Sequence, residues 1–199
     1  MGNAQRLFDL HGEKLRYISE TKSWLIWNGD SWQWDVSGAQ VRELAAGLAR
    51  SIYAEGAGFD MREAEHFAKW ARDSMSCQKV DAAISLLSDR GRIRLSLTQI
   101  DADPWLVGFD QARQGIDLRT GKARPTTPAD YLTKSLAPCT LGDPAKAVRW
   151  YAFLEQIFSG DLELIDWLQR WCGYLLTGKI SEQIFGILHF SVYTLRNYQ

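Results

Sequence analysis

The stretch LRYISETKSWLIWNGDSWQWDV, residues 15–36, decides how the chain begins to fold. It contains three short runs rich in aromatic and β-branched residues, a composition that favours strands. These runs are 15–18, 24–27 and 32–34. The dipeptide Asn28-Gly29 favours a hairpin between the last two runs, because both residues tolerate a positive φ angle. The stretch therefore predicts a small aromatic β-meander.

The second run of the meander carries large apolar side chains on both of its faces. Side chains alternate between the two faces of a strand, so Trp24 and Ile26 are expected on one face and Leu25 and Trp27 on the other. We expect one of these pairs to be buried against neighbouring helices and the other to be left exposed.

Three helices are predicted after the meander. Apolar residues recur at helical spacing over 39–54, and a second helix begins at Asp60, where Glu63 completes a capping-box pattern. A third helix carries an apolar stripe over 80–87, and Gly91 is its expected stop. The residues expected to be buried are Val41, Leu44, Ala45, Leu48 and Ile52, then Ala64, Phe67, Ala68 and Ala71, then Val80, Ala83, Ile84 and Leu87.

The rest of the chain reads as a β-rich insert followed by a helical hairpin. Residues 92–135 contain short β-like runs, RIRLSLTQI and WLVGF among them, and a tight turn at Arg119-Thr-Gly-Lys. One helix is predicted to start at Asp143-Pro144 and a second at Asp161. Their expected buried stripes are Ala147, Trp150, Tyr151, Leu154, Ile157 and Phe158, then Ile165, Leu168, Trp171, Cys172 and Leu175.

These elements predict an α+β fold that is mostly helical. We expect four parts: an aromatic β-meander subdomain (1–36), a helical region with a short β-rich insert (37–142), a helical hairpin leading to a further strand (143–189) and a divergent tail (190–199). Residues 184–188 are the expected strand.

Composition and charge exclude some function classes. The net charge is −1, which does not favour strong nonspecific binding to duplex DNA. The three cysteines, Cys77, Cys139 and Cys172, are far apart, and His11, His66 and His189 have no partner at metal-ligand spacing, so we expect no zinc site and no disulfide framework. The N-terminus lacks a signal-peptide pattern and no apolar run reaches 18 residues, so we expect a cytoplasmic protein without a membrane contact.

The segment GYLLTGKIS, residues 173–181, resembles a phosphate-binding loop but is not expected to be one. It matches G-x-x-x-x-G-K, but Ile180 stands where the magnesium-binding Ser or Thr is required. A phosphate loop also follows a strand and opens a helix, whereas Gly173 is predicted to lie inside a helix and Gly178 to end it. We expect no nucleotide to bind here.

Asp101-Ala-Asp103 resembles the carboxylate pair that holds two metals in nucleotidyl transferases. If the segment were a strand, both carboxylates would point the same way. The preferred interpretation is a polar turn, because Asp103-Pro104 favours a chain reversal. A metal-dependent enzyme that uses this pair stays as an alternative hypothesis, and we expect no catalytic residue otherwise.

Two basic groups are candidates for nucleic-acid contact. Arg90, Arg92 and Arg94 would share one side of an extended segment. The second group is looser and consists of Arg119, Lys122, Arg124 and Lys134. Either group could follow a single-stranded backbone, and Trp27 and Trp32 of the meander could stack on bases. The alternative is that the arginines are a solvated face and the tryptophans pack in the core.

Four phrases, in order, resemble one known family. They are HGEKLRYISETKSWLIWNGDSWQWD, DADPWLVGF, GIDLRTGKARPTTPADYLTKSL and WYAFLEQIFSGDLELIDWLQRWCGYLLTGKISEQIFGILH. The chain is similar over about residues 2–189 to the region before the ATPase core of phage and plasmid primase-helicases, the poxvirus-type superfamily 3 helicases of mobile elements. In that family a primase domain often precedes this region, and a hexameric ATPase follows it.

The resemblance implies that the ATPase begins where this sequence departs from the family. In the family, the residues after a phrase like FGILH form a Gly-rich loop ending in Gly-Lys-Ser, but Phe190 stands at the first glycine and the tail FSVYTLRNYQ has no family character. ATP and magnesium are thus implied for full-length relatives only. We expect a partial gene product, arising from a frameshift, a premature join or a prophage remnant.

The resemblance and the residues together predict a non-catalytic module of a mobile-element DNA replication primase-helicase. It would link primase to motor, engage DNA or help to assemble the ring. The alternative is a stand-alone adaptor or single-stranded-DNA-binding protein that regulates an intact helicase. The expected partners are DNA, preferably single-stranded, and either other copies of the chain or an intact helicase.

Overall fold

The computed structural model describes residues 2–109, 113–136 and 142–182, together with residue 186. The chain divides into two compact units, Met1–Arg149 and Trp150–Gln199. The described residues are 51% helix and 17% strand, so the predicted mostly helical α+β class is confirmed. His189, the tail from Phe190, Cys139 and the predicted strand over 184–188, apart from residue 186, lie outside the described residues.

The first unit alternates helices with two small sheets. Its helices are α1 (Asn3–His11), α2 (Ala39–Gly56), α3 (Met61–Ser74) and α4 (Cys77–Ser88). Its strands are β1 (Leu15–Ile18), β2 (Ser23–Trp27), β3 (Trp32–Asp35), β4 (Arg94–Leu95), β5 (Leu106–Phe109), β6 (Gln114–Asp117), β7 (Lys122–Pro125) and β8 (Ser135–Leu136). Short 3-10 turns span Gly12–Lys14, Leu97–Gln99, Pro128–Asp130 and Pro144–Lys146.

The predicted β-meander forms the first sheet. Strands β1, β2 and β3 pair in antiparallel order, and β4 adds to the free edge of β1 in parallel. The β2–β3 loop works differently from the prediction. Only Gly29 adopts a positive φ angle, of 108°, while the Asn28 side chain accepts hydrogen bonds from the backbone N–H groups of Asp30 (2.8 Å) and Ser31 (2.9 Å). Asn28 therefore closes the hairpin with its carboxamide as well as with its backbone N–H, which donates to the Ser31 carbonyl at 3.2 Å.

Both faces of the first sheet are covered, which corrects the expectation that one face of β2 is exposed. On one face, Trp24 packs in a core with Leu7 of α1, Leu48 of α2 and Leu87 of α4. On the other face, Leu25 is fully buried in a second cluster that is completed by residues from the β-rich insert. Strand alternation predicted the two sets of side chains correctly, but the second layer was not foreseen.

The β-rich insert forms the second sheet. Its strand order is β7-β6-β5-β8, with β8 parallel to β5 and the other pairs antiparallel. The predicted turn between β6 and β7 is present, and Gly121 adopts a positive φ angle of 67° in it. The run RIRLSLTQI is mostly not a strand: only Arg94–Leu95 pairs in a sheet, because Leu97–Gln99 forms a 3-10 turn capped by Ser96.

Trp32 joins the two sheets. Its side chain is fully buried, and its indole N–H donates to the Pro128 carbonyl at 2.9 Å. Its backbone N–H donates to the Leu132 carbonyl at 2.8 Å, and its ring packs against Tyr131 at a centroid distance of 6.1 Å. Residue 32 of the meander is thus held by the segment around 128–132 of the insert through backbone, side-chain and aromatic contacts.

The helices of the first unit follow the predicted stripes, and the predicted cap at Asp60 is present. Three details differ: the end of α4, the burial along α3 and the burial of two residues on α2 and α4. Asp60 caps α3 by accepting from the backbone N–H groups of Arg62 and Glu63, each at 3.0 Å. Helix α4 ends at Ser88 with Asp89 in a right-handed conformation, so Gly91 does not terminate it. On α3 only Ala71 of the four predicted residues is fully buried, since the others lie at the edge of the contact with α2. Leu44 and Ile84 are half-buried.

The helical hairpin consists of α5 (Val148–Ile157) and α6 (Leu162–Leu176). Positive φ angles at Ser159 (53°) and Gly160 (78°) make the turn between them, and Asp161 caps α6 by accepting from the Leu164 N–H at 3.0 Å. Asp143-Pro144 starts a 3-10 turn and not α5 itself.

The apolar stripes of the hairpin are mostly exposed, which corrects the prediction that they are buried. Leu154 and Ile165 are buried, but Trp150 is 52% exposed and Leu175 is 56% exposed. Cys172 is exposed as well. Two helices have too little surface between them to cover every apolar side chain that they carry.

Replacing Trp32 tests the junction between the sheets. We expect Trp32→Ala to lower the free energy of unfolding by about 3–5 kcal/mol, because it leaves a cavity and an unpaired Pro128 carbonyl. The matched control is Trp34→Ala on the same strand, whose side chain is 38% exposed and whose removal costs about 1 kcal/mol or less. Urea unfolding measures both. Equal destabilisation by the two variants would contradict the assigned role of Trp32.

Candidate nucleic-acid interface

The first predicted basic group does not form an extended row. Residues 91–93 make a turn, in which the backbone N–H groups of Ile93 and Arg94 both donate to the Arg90 carbonyl, at 3.0 and 3.1 Å. The two-residue alternation that would align Arg90, Arg92 and Arg94 therefore does not apply. The reason is local: α4 ends at Ser88, and the chain must reverse before β4 can pair with β1.

Two of these three arginines have partners within the fold. Arg90 is half-buried, donates to the Gln5 side chain at 2.8 Å and lies 5.0 Å from the Phe8 ring centroid. Arg94 pairs with Asp89 at 2.7 Å. Arg92 is exposed and has no side-chain partner among the described residues. Of the first group, Arg92 alone offers an uncommitted cation.

The second group is spread across the second sheet, and its two arginines are paired while its two lysines have no side-chain partner among the described residues. Arg119 forms an ion pair with Asp103 at 3.1 Å and lies 5.4 Å from the Trp105 ring centroid. Arg124 makes a bidentate pair with Asp130, at 2.7 and 3.1 Å. Lys122 is exposed, and its ammonium has no partner among the described residues.

Lys134 lies apart from the rest of the second group. It precedes β8, whereas Lys122 and Arg124 lie on β7, and these two strands are the opposite edges of the sheet. Three strand spacings separate the edges, or about 14 Å. The second group is therefore not one compact patch.

The pKa values of both members of the Arg124–Asp130 pair are shifted toward their charged forms. Burial of the Asp130 carboxyl works against its ionisation, but hydrogen bonds from Arg124 and Thr127 outweigh burial and hold its pKa below the ordinary value. The same bonds to Asp130 raise the pKa of Arg124. Asp130 also closes the capping box of the turn Pro128–Asp130, whose first carbonyl receives the Trp32 indole. This arginine therefore supports the fold.

The tryptophans do not form an exposed stacking platform. Trp32 is fully buried at the junction of the sheets, and Trp27 is half-buried with its ring 5.7 Å from that of Trp32. A base could reach Trp32 only after the second sheet had moved away. No local signal indicates that the insert covers this face, because Pro128 lies 96 positions away from Trp32 in the chain.

Asp101 and Asp103 serve different turns and do not form a metal pair. Asp101 has a positive φ angle of 48° and accepts from the N–H and hydroxyl of Thr133, at 2.7 and 2.6 Å. Asp103 instead binds Arg119 and the backbone N–H of Trp105. In the described parts of the chain, no group of three or more Asp, Glu, His and Cys side chains could hold a metal ion. The polar-turn interpretation agrees with this geometry.

The segment GYLLTGKIS lies in the wrong place for a phosphate loop. Gly173 is inside α6, which continues to Leu176, and Gly178 ends the helix with a positive φ angle of 63°. The helix therefore runs into the segment and not out of it, so among the described residues no helix N-terminus faces these glycines.

The structure reveals an exposed aromatic surface on the hairpin, of which Trp150 and Trp171 were expected to be buried, while Phe153 and Trp167 were not assigned to either stripe. On α5, the rings of Trp150 and Phe153 stack with centroids 5.7 Å apart, and on α6 those of Trp167 and Trp171 stack at 5.9 Å. Trp150, Phe153 and Trp167 are each about half exposed. Apolar residues on more than one side of α6, as in LELIDWL, were the available signal.

Comparison with known proteins decides the family. The sequence model of the D5 N terminal like family matches residues 4–159, which is most of the chain. The chain belongs to this family. Its members carry this domain as the N-terminal domain of phage and plasmid primase-helicases of the D5 type, so the resemblance inferred from the four phrases is confirmed.

Two further findings concern relatives and membrane spans. No curated protein matches the sequence significantly. Among the described residues, no helix has the length and hydropathy needed to cross a membrane.

The titration of Asp130 gives a test of the Arg124 pair. Asp130→Asn should lower the free energy of unfolding at neutral pH by about 1–2 kcal/mol, since it removes a partly exposed charge-assisted pair. The lowered pKa of Asp130 means that the pair stabilises the fold above the ordinary carboxyl pKa and ceases to do so as the pH falls through the lowered pKa. The difference between variant and wild type should therefore shrink below about pH 4.

Thermal unfolding between pH 2 and 8 measures this difference, and Lys122→Ala serves as the control because its ammonium has no described partner. A cost of Asp130→Asn that stays constant down to pH 2 would contradict the assignment.

Proposed function

We propose that the chain is a non-catalytic assembly module of a DNA-replication primase-helicase, and that its helical hairpin is a docking surface for protein. The observation that carries the proposal is the exposed stacked pair Trp150 and Phe153 on α5, at 52% and 48% exposure. Exposed apolar patches of this kind mark protein contacts, and tryptophan is enriched among residues that dominate binding energy. Family membership supplies the replication context.

The pairing of the basic residues favours the protein-docking role over a primary role in DNA binding. Arg94, Arg119 and Arg124 each face a carboxylate within the fold, and Arg90 is held by Gln5. A phosphate that approached these three carboxylate-paired arginines would have to displace an existing anion, so they add little to affinity for DNA. The net charge of −1 acts in the same direction.

The partner that fits the proposal is the ATPase motor of a primase-helicase of this family. The resemblance places an ATPase region directly after the part of the family that this chain matches. The apolar face of α5 is suited to such a contact because docking would bury rings that are already stacked and need little further ordering.

A binding experiment tests the docking role. The probe is the purified ATPase region of a full-length primase-helicase of this family, titrated against the full chain in a calorimeter. We expect binding that Trp150→Ala weakens at least 10-fold, because truncating a central tryptophan commonly costs about 2 kcal/mol or more. The control is Trp34→Ala, an exposed tryptophan in the first unit, which should leave the affinity unchanged. Absence of binding, or equal weakening by both variants, would contradict the proposal.

A second candidate function is contact with single-stranded DNA. It rests on Arg92 and Lys122, which are exposed and have no side-chain partner among the described residues. Binding to a single-stranded oligonucleotide should fall with salt, and the double variant Arg92→Ala/Lys122→Ala should reduce both the affinity and the salt slope.

Arg94→Ala is the matched control for the DNA experiment. This arginine is two residues from Arg92 but is paired with Asp89, so its loss should have a smaller effect. Fluorescence anisotropy at low and moderate salt measures all the variants. No binding at low salt would remove the DNA function and leave the docking role standing.

A further inference from the structure

A groove between α2 and α3 is lined by unusually small residues. It has a volume of about 620 Å³, and its floor consists of Ala46, Gly47, Ala49, Ala68 and Ala71. A Cβ atom added at Gly47 would meet no other atom within 4 Å, so the floor leaves open space. Tyr53 and Met75 stand at the rim, 65% and 62% exposed. The groove is large enough to receive a bulky side chain from another helix.

Charged residues line the groove at defined positions along α2 and α3. Glu43 and Arg50 lie seven residues apart on α2, which is two helical turns or about 10.5 Å. Arg72 of α3 adds a second cation to the lining. None of these three side chains has a hydrogen-bond or ion-pair partner among the described residues. The groove thus presents one acid and two bases around an apolar floor.

The exposed side of helix α6 carries one acidic and one basic residue at the same spacing as the acid and base of α2. Glu163 and Arg170 are also seven residues apart, so they have the same spacing of about 10.5 Å. Trp167 lies between them and is 45% exposed. Glu163 has no described side-chain partner, and Arg170 pairs only with Asp166 on the same helix, an exposed pair that contributes little.

We propose that α6 of one copy docks in the α2–α3 groove of a second copy, antiparallel to α2. In this register Glu163 faces Arg50, Arg170 faces Glu43, and Trp167 lies over Ala46 and Gly47. The parallel register would place Glu163 against Glu43 and Arg170 against Arg50, so charge selects the antiparallel one. This contact uses other residues than the Trp150 surface, and its partner is another copy of this chain.

The contact is heterologous, because the groove and α6 are different surfaces of the same chain. Each copy has one of each, so contacts can continue from copy to copy and either close a ring or form an open chain. One helix in a groove buries less than the roughly 800 Å² per partner that is typical of stable complexes. The contact is therefore weak, and we expect it at micromolar concentrations or above.

Sedimentation velocity of the full chain between about 5 and 200 µM tests the contact. We expect wild-type species larger than a monomer to increase with concentration. Trp167→Ala removes the inserted ring, and Gly47→Leu fills the groove at a helical position with free space. Each variant alone should remain monomeric. A mixture of the two retains one working contact, between the α6 of the Gly47→Leu chain and the groove of the Trp167→Ala chain, so it should form pairs and nothing larger.

Charge reversal tests the register. Glu163→Arg alone places two arginines together, and Arg50→Glu alone places two glutamates together, so each variant should lose association by 10-fold or more. An equimolar mixture of the two restores an opposite pair at every contact and should associate like the wild type. Lys122→Glu, outside the groove, is the control and should not change association.

The outcomes separate this inference from the proposed function. A wild-type chain that stays monomeric at 200 µM, or association that the Trp167, Gly47 and charge variants leave unchanged, would overturn the inference. Circular dichroism verifies that the variants fold, and the mixtures supply a gain of association that misfolded chains cannot produce. Binding to the ATPase region through Trp150 is measured separately, so its loss would overturn the proposed function and not this contact.

Discussion

The burial of Trp32 between two small sheets is the constraint on which the first unit depends. A four-stranded sheet of short strands cannot form a core alone, and this one is covered by α1, α2 and α4 on one face and by the insert on the other. The Trp32 indole and backbone fix the segment 128–132, which in turn places β8 beside β5. The Arg124–Asp130 pair holds the same segment from outside. Arg124 is therefore committed to the fold before any ligand is considered.

The sequence predicted the local elements well because their signals are local. Alternation over 24–27 and Asn28-Gly29 located the hairpin, and helical periodicity located α2, α3 and α4. It failed where distant segments meet. Nothing near Trp32 indicates that Pro128 and Tyr131 cover it. For Arg124, the one available signal is that Asp130 follows six residues later, across a turn. The three arginines of 90–94 were misplaced because a turn replaced the strand on which their alignment depended.

The hairpin shows the opposite kind of failure. Periodicity identified α5 and α6 correctly, but an apolar stripe states only that a face avoids water. It does not state whether the cover comes from the same chain. Leu154 and Ile165 find cover, while Trp150, Phe153 and Trp167 stay about half exposed. The hairpin has exposed aromatic faces, and most of the candidate DNA-binding arginines are paired within the fold. Both observations favour a module whose main contact is with protein and not with DNA.

Hydrogen exchange of the full chain, with and without the ATPase region of a primase-helicase of this family, tests this account most directly. Bound partners slow local opening, so the amides they cover gain protection. The account predicts new protection concentrated in α5 and α6, with the strands around Trp32 unchanged because they are already closed. Protection confined to the first unit, or no change at saturating partner, would contradict a docking role for the hairpin.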